Sequence, residues 1–292
     1  MRRIEIDREL WGYFLKETDN FDPIILEKRP YSRFIIAHKL QEILGQSTVN
    51  MLVHTVQSHE FGGVFITYPY EEYDFSHHLR LATAVAYTLG VAYFDEMSQH
   101  YYAAINLGPN TQGDSFLSEP YHDLRLHTDG TFYKKPVEWV VLIKTKQHDV
   151  DGGELTLHHL NDLEALDTFL SHPLALAPFL FEASASKQLN AGVQQAIFFE
   201  KNGMLGIRFS DQFCQPQSLE QALFLHHLSD CFEQSDARLV DFFPPGQVVI
   251  LNNSCWLHGR LKIIPKLNFM RQLLRIRGAF TIEKEMECNK MI

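Results

Sequence analysis

Residues 123–132 read DLRLHTDGTF. Leu124 and Leu126 alternate around Arg125 with the two-residue period of a strand, and His127 and Asp129 continue it. Side chains at i and i+2 of a strand share one face. An imidazole and a carboxylate so placed form two-thirds of a metal chelate, and Gly130 marks a turn directly after them. Two imidazoles and one carboxylate would leave several coordination positions open, which suits Fe(II) oxygen chemistry. A His-x-Asp pair alone is ordinary in a chain with 15 His, so the reading depends on a third ligand.

A candidate lies about 130 residues on, in VVILNNSCWLHGR (248–260), where an apolar strand runs into a polar turn and then His258. RQLLRIRGAF (271–280) follows. In a regular strand Arg271, Arg275 and Arg277 share a face. Guanidiniums stacked that way repel one another unless they are solvated or bound to anions, and their planar fork matches a carboxylate. Two readings stay open on geometry, a basic outer face and a carboxylate-binding wall. His-x-Asp with a distant His could also hold zinc in a non-oxygenase metal binder.

The surrounding sequence bounds the choice. The chain has 292 residues, a net charge of −10 and no Lys/Arg run longer than two, which argues against nucleic acid as a partner. No apolar stretch approaches the 18 residues of a membrane span, and the start has no apolar core of a signal peptide. Cys214, Cys231, Cys255 and Cys288 show no C-x-x-C spacing. Free thiols in a reducing, cytoplasmic setting are the simplest reading.

The organisation is that of one domain over 1–292. Residues 1–98 form a mixed, helix-rich flank. Helices are expected in SRFIIAHKLQEILGQ (32–46), in STVNMLVHTVQSHEF (47–61) and in FSHHLRLATAVAYTLG (75–90), the last with Ser76 as N-cap. GGVFITY (62–68) reads as a strand. Residues 99–280 are rich in strands: YYAAINL, LRLHTDG, EWVVLIKTK, ELTLHHL, AIFFEK, LGIRFS, QVVILNNS and RQLLRIRGAF. NDLEALDTFLSH (161–172) is predicted as a helix. So is the insertion at about 217–235, where Ser218 and Gln221 make a capping-box pattern. The fold class is mainly β with flanking helices (α+β), a double-stranded β-helix or jelly roll.

Here a resemblance adds to the reading. LHTDGTF, GGELTLHHLNDLE, DQFCQP, LHHLSDCFEQS, NNSCWLHGR and RQLLRIRG occur in this order and cover most of residues 100–280. Together they resemble the CsiD family of Fe(II)/2-oxoglutarate-dependent dioxygenases, the glutarate 2-hydroxylases once called Gab proteins. The resemblance implies a jelly roll of the clavaminate synthase-like kind, with Fe(II) held by His127, Asp129 and His258, and with 2-oxoglutarate and O2 consumed. It implies that Arg275 or Arg277 meets the far carboxylate of 2-oxoglutarate, with the other free for a substrate carboxylate. Related dioxygenases place a Thr or Ser shortly after a Gly-Gly pair for that carboxylate. Here Glu154 and Leu155 follow Gly152 and Gly153, and Thr156 is the nearest hydroxyl. Arg271, Tyr102 and Asn106 are expected to bind substrate. The implied reaction turns glutarate into 2-hydroxyglutarate with release of succinate and CO2, within lysine degradation. The implied assembly is a homo-oligomer, a tetramer. The same fold could also act on another small carboxylic acid.

Overall fold

The computed structural model describes residues 1–70, 74–108, 121–183 and 192–280. Cys288 and the C-terminal stretch beyond Phe280 lie outside the described residues. In chain order the strands are β1 (Arg2–Glu5), β2 (Gly63–Thr67), β3 (Gly90–Ala92), β4 (Ala103–Leu107), β5 (Leu124–His127), β6 (Trp139–Gly152), β7 (Leu155–His159), β8 (Pro178–Glu182), β9 (Gly192–Ala196), β10 (Phe198–Lys201), β11 (Met204–Ile207), β12 (Cys214–Gln215), β13 (Leu239–Asp241), β14 (Gln247–Asn252), β15 (Trp256–Arg260) and β16 (Ile263–Phe280). The helices are α1 (Arg8–Glu17), α2 (Pro23–Lys28), α3 (Pro30–Leu44), α4 (Gln46–Gln57), α5 (Phe75–Leu89), α6 (Leu166–Leu170) and α7 (Leu219–Gln234).

Two sheets form the jelly roll. The major sheet runs β1-β2-β14-β6-β16-β3, with β4 also paired to β16; the minor sheet runs β13-β7-β15-β5. β6 explains the layering. Its WVVLI run is buried on both faces, which is why it reads as continuous apolar sequence rather than alternation. Trp139, Val141 and Ile143 pack outward against α1, α3 and α5, while Val140 and Leu142 pack inward, toward the minor sheet. Between the sheets lies the space that a site can occupy.

The N-terminal segment is more than a flank. β2 is inserted between β1 and β14, so the major sheet is built from both halves of the chain. α5 starts at Phe75, two residues earlier than Ser76 as N-cap would allow, because Asp74 is the N-cap and its carboxylate accepts the His77 N–H. Of the helix expected over 161–172 only a 3-10 turn (Leu160–Asp162) and the short α6 form. α7 keeps the expected cap: Ser218 accepts from Gln221 N–H, and the Gln221 side chain accepts from Gln217 N–H.

Candidate active site

β5 and β15 are antiparallel neighbours in the minor sheet, and their register sets His127 directly opposite His258. The two rings lie 4.5 Å apart, centroid to centroid. β5 ends at His127, so Asp129 is in the following turn and not on a strand. The strand period alone therefore does not aim its carboxylate. Asn253 does: its Oδ1 accepts from Asp129 N–H at 2.8 Å, and its Nδ2 donates to Asp129 O at 3.0 Å and to Val137 O at 2.9 Å. The turn also needs Gly130, which has φ +68°, and a Cβ there would sit 2.5 Å from Val137 Cγ2. The result brings one ligand atom each from His127, Asp129 and His258 within 4.8 Å of one another, all three residues buried.

This donor set fits a divalent metal. His127 Nδ1–H donates to Arg125 O at 2.8 Å, which presents Nε2 toward Asp129 Oδ1, 3.8 Å away. Fixing a ligand histidine through its other nitrogen is the usual outer-shell arrangement. Asp129 Oδ2 is buried and accepts no hydrogen bond. Burial pushes the Asp129 carboxyl up, but Arg275 and Arg277 outweigh it and hold the acid far below the carboxylate range. Burial, with His127 beside it, depresses His258 to about 3, so its imidazole is neutral and able to ligate.

The opposite wall is β16. A bulge opposite Gln272 and Leu273 falls on β6, so β16 stays regular from Met270 to Gly278, and Arg271, Leu273, Arg275 and Arg277 all face inward. One part of the cleft is lined by His127, Asp129, Tyr133, Arg275 and Arg277. A second part is lined by His127, His258, Arg260, Arg271, Leu273 and Arg275. Arg271 is buried. Its Nη2 lies 3.5 Å from Gly153 O and its Nε has no partner. Burial, then the neighbouring Arg260, lowers Arg271 to about 10. A larger hollow of about 490 Å³ between β5 and α7 touches His127, but neither Asp129, His258 nor any β16 arginine lines it. The chemistry sits in the smaller cleft, where ligands and cations converge.

The sequence matches the CsiD family over residues 1–280. It is 33% identical over 272 residues to a glutarate 2-hydroxylase of Citrobacter koseri, spanning 91% of this chain and 83% of that protein. The chain belongs to the CsiD family. Among solved structures it is similar to an asparagine oxygenase in complex with Fe(II), a hydroxyasparagine and succinate (TM-score 0.79, 14% identity, 99% of this chain and 96% of that one). It is also similar to the non-heme iron oxygenase OrfP in complex with Fe and α-ketoglutaric acid (TM-score 0.72, 13% identity, 98% and 96%). At such identities these two speak for the jelly-roll oxygenase fold.

In this CsiD-family chain three expected contacts lie elsewhere. Thr156 pairs with Gly259 on β15, on the opposite sheet face from Leu155 and His258, and is absent from the cleft lining. Leu155 holds the inward place. Tyr102 precedes β4 and stacks on His100 and Phe75. Asn106 is exposed and accepts from Gln272 Nε2. From that strand Ala103 and Ile105 reach the cleft. Arg277 lines the first part of the cleft but not the part that holds His258, and its Nη2 is held by Asp95 at 2.6 Å. Three residues of this neighbourhood escaped the sequence reading. Arg260 shares the face of His258 two residues before it, a signal that was present in WLHGR. Asn253 and Asp95 act through long-range hydrogen bonds and carry no local pattern.

Proposed function

We propose that this protein is an Fe(II)- and 2-oxoglutarate-dependent dioxygenase that hydroxylates glutarate to 2-hydroxyglutarate, with 2-oxoglutarate and O2 becoming succinate and CO2. The observation that carries the reading is the convergence of His127, Asp129 and His258 on a cleft whose facing wall carries inward guanidiniums. The similarity to a glutarate 2-hydroxylase supports glutarate as the substrate.

His127, Asp129 and His258 would hold Fe(II), which supplies the activation of O2 when bound. The remaining roles belong to the chain. Arg271, with Arg260 beside it in the part of the cleft that His258 lines, takes the far carboxylate of 2-oxoglutarate. This differs from the expectation that Arg275 or Arg277 would do so, and what supports it is placement: Arg271 lines the part that holds His258, and Arg277 does not. Arg275, between the two parts of the cleft, takes a carboxylate of the substrate and so selects the neighbouring carbon for reaction. Leu142, Leu155 and Phe243 line the same part as Arg271 and keep water from the bound acid. Three free thiols among the described residues, Cys214, Cys231 and Cys255, support a cytoplasmic, reducing setting. Among those residues no helix is long and apolar enough to cross a membrane. Exposed Tyr31, Phe34 and Ile35 on α3 offer apolar surface for the homotetramer that the family resemblance implies. Lysine degradation is where the same resemblance places the reaction.

The test is an incubation under air with Fe(II), 2-oxoglutarate and a panel of dicarboxylic acids of four to six carbons. Mass spectrometry follows addition of one oxygen atom together with succinate. Coupled turnover with glutarate is the expected result. Coupling with a different acid alone moves the substrate and keeps the chemistry. Succinate release that does not require iron overturns the reading.

A further inference from the structure

Asp95 sits in the turn after β3 and is buried at the edge of the cleft. Its Oδ1 accepts the backbone N–H of Met97 at 3.2 Å and of Ser98 at 3.1 Å, an Asx turn. Its Oδ2 accepts from Arg277 Nη2 at 2.6 Å and from Arg275 Nη2 at 3.4 Å. The backbone closes the same loop, with Asp95 N–H donating to His100 O and Gln99 N–H to Asp95 O. One carboxylate thus organises a loop at the mouth of the cleft with one oxygen and a pair of guanidiniums with the other.

The pair needs it. Arg275 and Arg277 are two residues apart on one strand face, where like charges repel. Asp129 is their other acid, and it faces His127 and His258. The contacts are graded: Arg277 is held tightly by Asp95, whereas Arg275 is at 3.3 Å from Asp129 and 3.4 Å from Asp95. Arg275 is therefore the guanidinium that can yield to an incoming carboxylate, and Arg277 is fixed. Without the charge of Asp95, Arg275 keeps Asp129 as its one acid partner.

We infer that Asp95 is a positioning residue for the substrate carboxylate: it anchors Arg277 and suspends Arg275 between itself and Asp129, so that a small dicarboxylate is captured at a set place in the cleft. The inference rests on the proposed function for the identity of that dicarboxylate. Asp95→Asn keeps an oxygen for the Met97 and Ser98 amides and replaces the charged oxygen facing Arg275 and Arg277 with an NH2 that cannot accept from them; Asp95→Ala removes both. At saturating Fe(II), Asp95→Asn is expected to raise KM for glutarate at least tenfold, with kcat and KM for 2-oxoglutarate within threefold and amide exchange at Met97 and Ser98 unchanged. Asp95→Ala is expected to give the same KM rise with faster exchange. Wild-type KM in Asp95→Asn, or an equal rise in both KM values, overturns the inference. Phenylglyoxal labelling read by peptide mass spectrometry needs no turnover: Arg277 should label at least fivefold faster in Asp95→Asn. Unchanged labelling overturns the anchor whatever the substrate. Faster labelling in a protein that hydroxylates no dicarboxylate overturns the proposed function and leaves the anchor standing.

Discussion

Replacing Arg271 by Met should stabilise the metal-free protein while weakening its hold on 2-oxoglutarate. The guanidinium is buried, with no acid partner nearer than its weak contact to a backbone carbonyl, and its pKa falls from the usual guanidinium value to about 10. Burial is the main cause and Arg260 adds to it. At neutral pH the group is still protonated, since pH 7 lies below both its folded and unfolded values. The full shift then acts against the folded state, about 3 kcal/mol at ~1.4 kcal/mol per unit. Met keeps most of the aliphatic volume and removes the charge. With an unfolding entropy of about 2 cal/mol/K per residue, 3 kcal/mol corresponds to a rise in Tm of about 5 °C for a chain of this size. Loss of a charge-assisted, bidentate contact should cost about 2–4 kcal/mol of cosubstrate binding, roughly 30- to 1,000-fold in affinity. Differential scanning fluorimetry with and without 2-oxoglutarate reads both effects. At about 100 times Kd, 2-oxoglutarate should add about 2.7 kcal/mol to the metal-loaded wild type and little to the variant. A variant that melts lower than wild type without metal, yet is stabilised normally by 2-oxoglutarate, would make Arg271 a structural residue and refute the reasoning.

Gly259→Ala tests the wall behind His258. A Cβ there would lie 2.4 Å from Leu124 O and 2.7 Å from Thr156 Oγ1, so β15 must separate from β5 at about 1–3 kcal/mol; Co(II) affinity, followed by its visible spectrum, should drop at least tenfold, and normal affinity would exclude that strain. Lys144 is buried and lowered by burial to about 7. For a cation depressed in the fold, stability falls as pH drops from about 10.5 toward 7, so Lys144→Met should gain about 2–4 kcal/mol at pH 7 and flatten that stretch of the pH–stability curve; denaturant melts at pH 7 and 10 measure it, and an unstabilised variant contradicts the burial argument. Burial also lowers His78 to about 4. Its contribution is present above pH 6.5 and is lost as pH falls toward 4, about 2 kcal/mol by pH 5; a His78→Gln variant should show a shallower acid loss in urea titrations, and parallel curves would assign the acid sensitivity to other groups.

The convergence of His127, Asp129 and His258 was legible because the chemistry leaves few residue types to choose from, and because the arginines of β16 keep strict parity from Arg271 to Arg277. Where the reading failed, the alternation was in the sequence and was overlooked. In ELTLHH, Leu155 and Leu157 are the apolar pair that must face inward, so Thr156 between them must face out. In YYAAINL the same period places Ala103, Ile105 and Leu107 on one face and Asn106 on the other. Motif distance from the Gly-Gly pair suggested Thr156, and strand parity overrode it. The insertion of β2 into the major sheet could not be read, because GVFIT has the same apolar run whether it pairs with β14 or with a local hairpin partner. Asp129 reaches the cluster by a route that the sequence did not show. The strand ends two residues before it, and Asn253, 124 positions away, supplies the aim that the strand period was expected to give.

The two sheets divide the work by charge. The minor sheet supplies His127 and His258 through the β5–β15 register, and the major sheet supplies the cations through β16. Arg271 and Arg275 are four residues apart on a regular strand, about 13 Å along its axis. A five-carbon diacid has four C–C bonds of about 1.5 Å and spans no more than about 6 Å. In the proposed function two such acids are bound, one at Arg271 and one at Arg275, and the spacing of the two strand positions leaves room for both. Their order is set by the strand itself, because exchanging the two positions would carry Arg275 away from Asp95 and Asp129, which hold it. Sliding β16 by two residues against β6 would keep every arginine facing inward and still destroy the site, since each guanidinium would then stand some 7 Å from its own carboxylate. What the fold specifies, beyond which face the arginines take, is the register that decides which acid each one meets.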